Sequence, residues 1–158
     1  SIRLYVNKYP ESNFKFYFVG RSNGSSLMHE AKALAFDLNL YNYIEFVGLV
    51  DDVAHFLTKM DVGLLSTKSE GLSNALLEYM AVGLPVIATD ISQNREALSL
   101  ENMFFEIGNK QQLVELLKHC YEDRALLKSI GALNKTFVEQ HFSNQLYSQK
   151  VLNLLHDE

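Results

Sequence analysis

Two glutamates, Glu70 and Glu78, flank the predicted start of one helix. Carboxylates accept hydrogen bonds from vicinal hydroxyl groups, so this pair suits a sugar or a ribose better than a phosphate. The N–H groups of a first helical turn have no intrahelical partner and, with the helix dipole, favour an anion. Together these groups predict a site for a sugar phosphate or a nucleotide sugar. A polar loop that enters a helix is also generic in α/β proteins, and most helical glutamates are merely solvated, so spacing alone leaves both interpretations open.

The elements that must position these glutamates are a strand, a loop, a helix and a second strand. The short apolar run 61–66 is typical of a buried parallel strand, and the polar run 68–72 predicts a loop. Ser73 and Asn74 are favourable N-cap residues. The helix then shows an apolar face at the expected spacing, formed by Leu76, Leu77, Met80 and Ala81.

The end of this helix is also encoded locally. Gly83 can adopt the left-handed conformation that closes a helix, and Pro85 prevents the helix from continuing. Across the chain, further strands are predicted at 14–19, 44–47, 85–89 and 103–106. Helices are predicted between them and over 110–121, 123–140 and 144–155. This alternation predicts an α/β fold, a doubly wound (Rossmann-like) parallel sheet with helices on both faces, in one domain over residues 1–158.

Composition narrows the possible functions. The 158 residues carry a net charge of −5 and are 47% hydrophobic, which indicates a globular domain without nucleic acid or an anionic membrane as its main partner. The single cysteine, Cys120, lies on an apolar helical face and excludes an internal disulfide. The five histidines lack metal-ligand spacing, so no metal site is expected. Gly20 and Gly24 lack the spacing of a dinucleotide-binding G-x-G-x-x-G motif, which argues against a redox cofactor.

Several ordered motifs match a known family. Glu70 and Glu78 form an E-x7-E motif that is followed by Met-Ala-x-Gly-Leu-Pro-Val-Ile-Ala-Thr-Asp. Upstream lie Phe-Tyr-Phe-Val-Gly at 16–20 and Phe-Val-Gly-Leu-Val-Asp-Asp-Val at 46–53. This pattern resembles the C-terminal, donor-binding domain of family 4 glycosyltransferases, retaining enzymes of GT-B fold, over about residues 14–142.

The resemblance implies a role for each matching position. Glu70 would bind the donor-sugar hydroxyls and Glu78 the ribose hydroxyls, and these two are the expected catalytic-site residues. Val50 and Asp52 would lie beside the nucleobase, which leaves UDP- and GDP-linked donors both open, and Gly20 would lie near the same pocket. Sugar and diphosphate would contact the backbone of Gly71, Leu72, Ser73, Asn74 and Ala75. The resemblance implies no metal and no cofactor beyond the nucleotide-sugar substrate.

The resemblance also implies that the chain is part of a larger enzyme. The family supplies an Arg and a Lys to the diphosphate from a loop before the first helix of this domain, and Ser1 lies at that helix. We therefore expect an N-terminally truncated donor domain, inactive alone, whose acceptor-binding domain, first strand and basic pair lie outside it. Arg21 and Lys68 are the nearest cationic candidates. The whole enzyme is expected in the cytoplasm, with membrane contact only through the absent domain.

The expected function is hexosyl transfer from a nucleotide-diphosphate sugar during synthesis of capsule, exopolysaccharide or lipopolysaccharide. One alternative is another GT-B enzyme, such as a nucleotide-sugar epimerase or a phosphorylase-like protein. The E-x7-E motif disfavours the epimerase, and the absence of a pyridoxal-phosphate lysine signature disfavours the phosphorylase. A second alternative is a non-catalytic regulatory or interaction module.

Overall fold

Helices and strands alternate along the chain in the computed structural model, which describes residues 1–20, 26–69, 73–98 and 101–142. The strands are β1 (Phe16–Val19), β2 (Ile44–Gly48), β3 (Gly63–Leu65), β4 (Val86–Thr89) and β5 (Met103–Phe105). The helices are α1 (Ile2–Lys8), α2 (Ser26–Asp37), α3 (Val53–Leu57), α4 (Asn74–Ala81), α5 (Ser92–Ala97), α6 (Lys110–Glu122) and α7 (Arg124–His141).

Every strand pair in the described part of the chain is parallel, so the predicted parallel α/β architecture is confirmed. The strands pair in two groups, β1 with β2, and β3 with β4 and β5 in that order. Strand β4 is central in its group, with Ile87 opposite Leu64 on one side and opposite Met103 on the other. Strand β1 is paired along one edge only, among the residues that the structure describes.

The packing on the two faces of strand β4 explains why its sequence is apolar without interruption. Successive side chains of a strand point to opposite faces. Ile87 belongs to a core that includes Tyr5 of α1 and Val114 of α6. Its neighbours Val86 and Ala88 belong to a second core, built with α4 and the C-terminal end of α5. Helices therefore cover both faces of β4, which is the arrangement that selects a continuous apolar run.

The helix ends follow local chemistry that the sequence shows. The side chains of Asp52, Asn109 and Asp123 each accept a hydrogen bond from a backbone N–H of the first turn of α3, α6 and α7. At the end of α4, Gly83 has φ +82° and donates to the Met80 carbonyl, while Leu84 donates to the Tyr79 carbonyl. These two bonds define a Schellman motif, as predicted from Gly83.

The predicted and observed elements differ in detail. Strand ends shift by up to two residues; β1 begins at Phe16 rather than residue 14, for example, and β3 covers only Gly63–Leu65. On α4, Leu76 and Met80 are fully buried, but Ala81, predicted on the same apolar face, is exposed. Ala81 lies in the last turn of α4 directly before the Schellman motif, at the edge of the packed surface. The helix predicted over 144–155 lies outside the described residues.

Candidate functional site

The N-terminus of α4 forms the centre of the candidate site. Ser73 is the N-cap residue and is 8% exposed, and its carbonyl accepts the hydrogen bond from Leu76 N–H at 3.1 Å. The Ser73 side chain makes no capping bond, contrary to the usual role of serine at this position. Asn74 is exposed and Ala75 is half-buried. Their N–H groups belong to the first turn, where no preceding helical carbonyl is available, so they are suited to an anion.

Glu78 lies one turn further along α4, and the structure leaves its side chain exposed. The next residue, Tyr79, packs in the second core, so its ring fixes which face of α4 turns towards solvent. Burial raises the pKa of Tyr79, and the nearby Glu78 carboxylate raises it further. Tyr79 therefore stays protonated and acts as a packing anchor beside the candidate ligand group.

A second group of predicted residues lies where β1 and β2 end. Gly20 N–H donates to the Gly48 carbonyl at 2.8 Å, which joins the two strand ends. A Cβ added at either glycine would meet no atom of the described residues within 4 Å, so this part of the structure leaves room for a ligand to approach the backbone closely. Val50 is half-buried and Asp52 is exposed. Asp52 Oδ1 accepts a hydrogen bond from His55 N–H at 2.8 Å, so this carboxylate also caps α3.

Helix α3 connects the two groups of predicted residues. Its Phe56 ring meets the Tyr17 ring of β1 edge to face, with centroids 5.9 Å apart. The same helix packs against α4. The structure thus links Gly20, Val50 and Asp52 through α3 to the helix that carries Glu78.

The carboxyl ends of β3 and β4 carry polar residues that sequence reasoning did not select. Thr89 Oγ1 donates to the Thr67 carbonyl at 2.6 Å, and Asn94 Nδ2 donates to the Thr89 carbonyl at 2.8 Å. Arg95 makes a two-pronged ion pair with Asp90, which lowers the pKa of that carboxyl group, and its guanidinium stacks on Phe104. The only sequence signal was the position of Thr89 and Asp90 at a strand end.

Some predicted residues lie outside the described part of the chain, namely Glu70, Gly71, Leu72 and Arg21. Lys68, the other cationic candidate, is exposed. Burial raises the pKa of the Cys120 thiol to about 12, so this cysteine is a core residue and a poor nucleophile. In the described ranges, no helix combines the length and apolarity needed to cross a membrane.

The fold first defines the class of protein, which is a parallel α/β domain with polar residues at the carboxyl ends of its strands. Parallel α/β proteins bind their ligands outside the carboxyl ends of their strands. The particular family follows from the sequence, because residues 2–123 match the family described as glycosyl transferases group 1. The chain belongs to this family.

Several similar curated proteins are named for bacterial polysaccharide biosynthesis. The Vi polysaccharide biosynthesis protein VipC/TviE of Salmonella typhi is 34% identical over 116 residues, which cover 73% of this chain and 19% of that protein. The O-antigen biosynthesis glycosyltransferase WclY of Escherichia coli is 26% identical over 110 residues, which cover 70% of this chain and 31% of that protein. The chain therefore spans less than a third of either relative.

Solved structures share the fold. Anabaena Alr3699/HepE in complex with UDP has a TM-score of 0.85 at 19% identity, over 92% of this chain and 41% of that one. The C-terminal domain of a glycosyl transferase group 1 family protein (LpcC) from Francisella tularensis has a TM-score of 0.75 at 20% identity. That match covers 90% of this chain and 75% of that domain. The predicted α/β fold therefore matches that of GT-B glycosyltransferases.

Proposed function

We propose that this chain is the donor-binding domain of a retaining glycosyltransferase that transfers a hexosyl group from a UDP- or GDP-linked sugar. The observation that carries the proposal is the geometry of α4. Its first-turn N–H groups follow the N-cap residue Ser73, and the Glu78 carboxylate is exposed one turn later. The amides suit a diphosphate, and the carboxylate suits the two hydroxyl groups of a ribose.

Four further observations support this proposal. Family membership makes a transferase the expected chemistry, and the Anabaena neighbour is a complex with UDP. The ends of β1 and β2 leave open backbone at Gly20 and Gly48, where a flat nucleobase can approach. The likeness to a separate C-terminal domain of this family supports the donor-domain assignment.

The proposal extends to the biological context and to the partners. We assign the enzyme to cell-surface polysaccharide synthesis, because two curated relatives are named for the biosynthesis of Vi polysaccharide and of O-antigen. Binding of the donor needs no metal in this proposal, since the helix N-terminus supplies the positive potential. The acceptor would be bound by polypeptide beyond these residues, in a cytoplasmic enzyme, and the chain alone would not transfer sugar.

The test is an amide NMR titration of this chain with UDP, GDP and their glucose or mannose conjugates, in the presence of a chelator. We expect selective shifts at Gly48, Val50 and Asp52 and at Ser73 to Glu78. Glu78→Gln should weaken the bare nucleotide by about tenfold or more, because a hydrogen bond to a charged group contributes about 1.5–3 kcal/mol.

The matched control is Glu139→Gln, an exposed glutamate on α7, which should leave the titration unchanged. Equal affinity of the Glu78 and Glu139 variants for every nucleotide would contradict the ribose assignment. Absence of shifts in both regions with all ligands would contradict the donor-binding proposal as a whole.

A further inference from the structure

A closed polar cluster lies at the carboxyl ends of β3 and β4, formed by Thr67, Thr89 and Asn94. Asn94 Nδ2 donates to the Thr89 carbonyl at 2.8 Å and to Thr89 Oγ1 at 3.3 Å. Thr89 Oγ1 donates its own proton to the Thr67 carbonyl at 2.6 Å. The side chains therefore form one hydrogen-bonded relay that runs from α5, through the end of β4, to the residue that leaves β3.

The relay is buried, and two side-chain oxygens in it make no hydrogen bond within the described residues. Asn94 is 1% exposed and Thr89 is 3% exposed. Asn94 Oδ1 and Thr67 Oγ1 are both buried and lack a hydrogen-bond partner among the residues that the structure describes. Unpaired polar atoms are rare inside folded proteins, and where they occur they call for a physical explanation. An apolar pair at Thr89 and Asn94 would take these hydrogen-bond donors from the Thr67 and Thr89 carbonyls, so the polar side chains are tied to the backbone at the ends of β3 and β4.

The location supplies the explanation. Thr67 lies two residues after β3 and six residues before Ser73, the N-cap of α4. Its carbonyl, held by Thr89, fixes the direction in which the chain leaves the sheet towards the helix. We propose that Asn94 and Thr89 are positioning residues of the donor site, which act through Thr67 on the polypeptide that enters α4. The identity of the ligand in this inference rests on the proposed function. The positioning of the polypeptide rests on the hydrogen bonds of the relay alone.

A matched control exists at the opposite end of the same strand. Asn102 is 5% exposed, and its Oδ1 accepts a hydrogen bond from Val86 N–H at 2.9 Å, at the amino end of β4. Asn94 serves the carboxyl end of β4 in the same way, through the Thr89 carbonyl. Asn102 also bonds Asn134, which donates to the Leu84 carbonyl after α4, so this control acts at the opposite end of α4 from Ser73, whereas the relay acts on the residues that leave β3.

The first experiment needs no ligand. Amide NMR spectra of Thr89→Val, Thr89→Ser and Asn102→Ala are compared with the parent chain. Valine keeps the shape of threonine but removes the hydroxyl, so resonances of Thr67, Lys68, Ser69, Asn74 and Ala75 should shift. Thr89→Ser, which keeps the hydroxyl, should restore the parent positions, and Asn102→Ala should leave this group unchanged. Changes confined to β4 and α5 in the Thr89→Val chain would overturn the proposal.

The second experiment measures binding of UDP and of UDP-glucose to the same variants. In Thr89→Val, the affinities for UDP and for UDP-glucose should both fall by about three- to tenfold, the range expected for one buried hydrogen bond, because both ligands carry the diphosphate assigned to the first turn of α4. Thr89→Ser should bind both ligands like the parent chain, and Asn102→Ala should change neither affinity by more than about twofold, even if it lowers the unfolding temperature. A loss in Thr89→Val no larger than that in Asn102→Ala would overturn the positioning role. If the parent chain binds neither ligand, the donor-binding proposal fails, and the ligand-free spectra alone decide on the relay.

Discussion

At the scale of single residues, the orientation of Glu78 depends on a contact made by its neighbour. The Tyr79 ring lies over β3 at Gly63, so closely that a Cβ on Gly63 would be 2.4 Å from a ring carbon. The glycine is needed because a ring and a methyl group cannot share this space. Tyr79 thereby sets the rotation of α4 that leaves Glu78 exposed.

We predict that Gly63→Ala destabilises the fold by about 1–3 kcal/mol, the usual effect of overpacking in a closed core. The measurement is urea unfolding, and the control is a double-mutant cycle with Tyr79→Leu, which removes the ring. In the Tyr79→Leu background, Gly63→Ala should lower the free energy of unfolding by much less. Equal destabilisation by Gly63→Ala in the two backgrounds would show that the ring contact does not set the orientation of α4.

At the scale of elements, α4 is held at its C-terminus by α7. A Cβ on Gly131 of α7 would lie 2.0 Å from the Gly83 carbonyl oxygen, so the two backbones touch where α4 ends. One turn further along α7, Asn134 Nδ2 donates to the Leu84 carbonyl at 2.7 Å and Asn134 also bonds Asn102. The helix that carries Glu78 is thus supported at one end by α7, while its other end follows the Thr67 relay.

We predict that Gly131→Ala separates α4 from α7 and destabilises the chain by about 1–3 kcal/mol or more, because the backbone of Gly83 cannot move aside cheaply. Thermal unfolding measures the effect. The control is Ala132→Gly at the adjacent exposed position, which should lose only about 1 kcal/mol of helix propensity. A Gly131→Ala chain as stable as the parent would refute the close contact.

The sequence predicted those structural features that are encoded by residues close together in the chain. The Gly83 cap and the alternation of strands with helices were predicted correctly, because each is encoded within a few residues. The Ser73 side-chain cap was not observed. The Thr67 relay and the Gly83–Gly131 contact could not be predicted, since each joins residues that only the tertiary fold brings together.

At the scale of the whole molecule, the two strand groups are packed very differently. Val86, Ile87 and Ala88 of β4 are all 0% exposed, whereas Tyr17, Phe18 and Val19 of β1 are 36–44% exposed. The sequence predicted a strand over 14–19 but not the exposure of these side chains. In the described ranges one edge of β1 has no partner strand, a feature that depends on the tertiary fold.

This asymmetry predicts a gradient of local stability. Backbone hydrogen bonds open most easily where few apolar contacts and few paired edges hold them. Amides of β4, which is paired on both sides, should therefore exchange with solvent at least about tenfold more slowly than those of β1, a difference of about 1.4 kcal/mol or more in opening free energy. Hydrogen exchange followed by NMR measures both strands in one experiment, with β2 as an internal reference for the β1 pairing. Equal protection of β1 and β4 would mean that the two groups open together as a single cooperative unit. A slower β4 would place the stable part of the fold beneath α4, so that the α4 part of the candidate site is built on the strands that open least, and the part at the ends of β1 and β2 on those that open more easily.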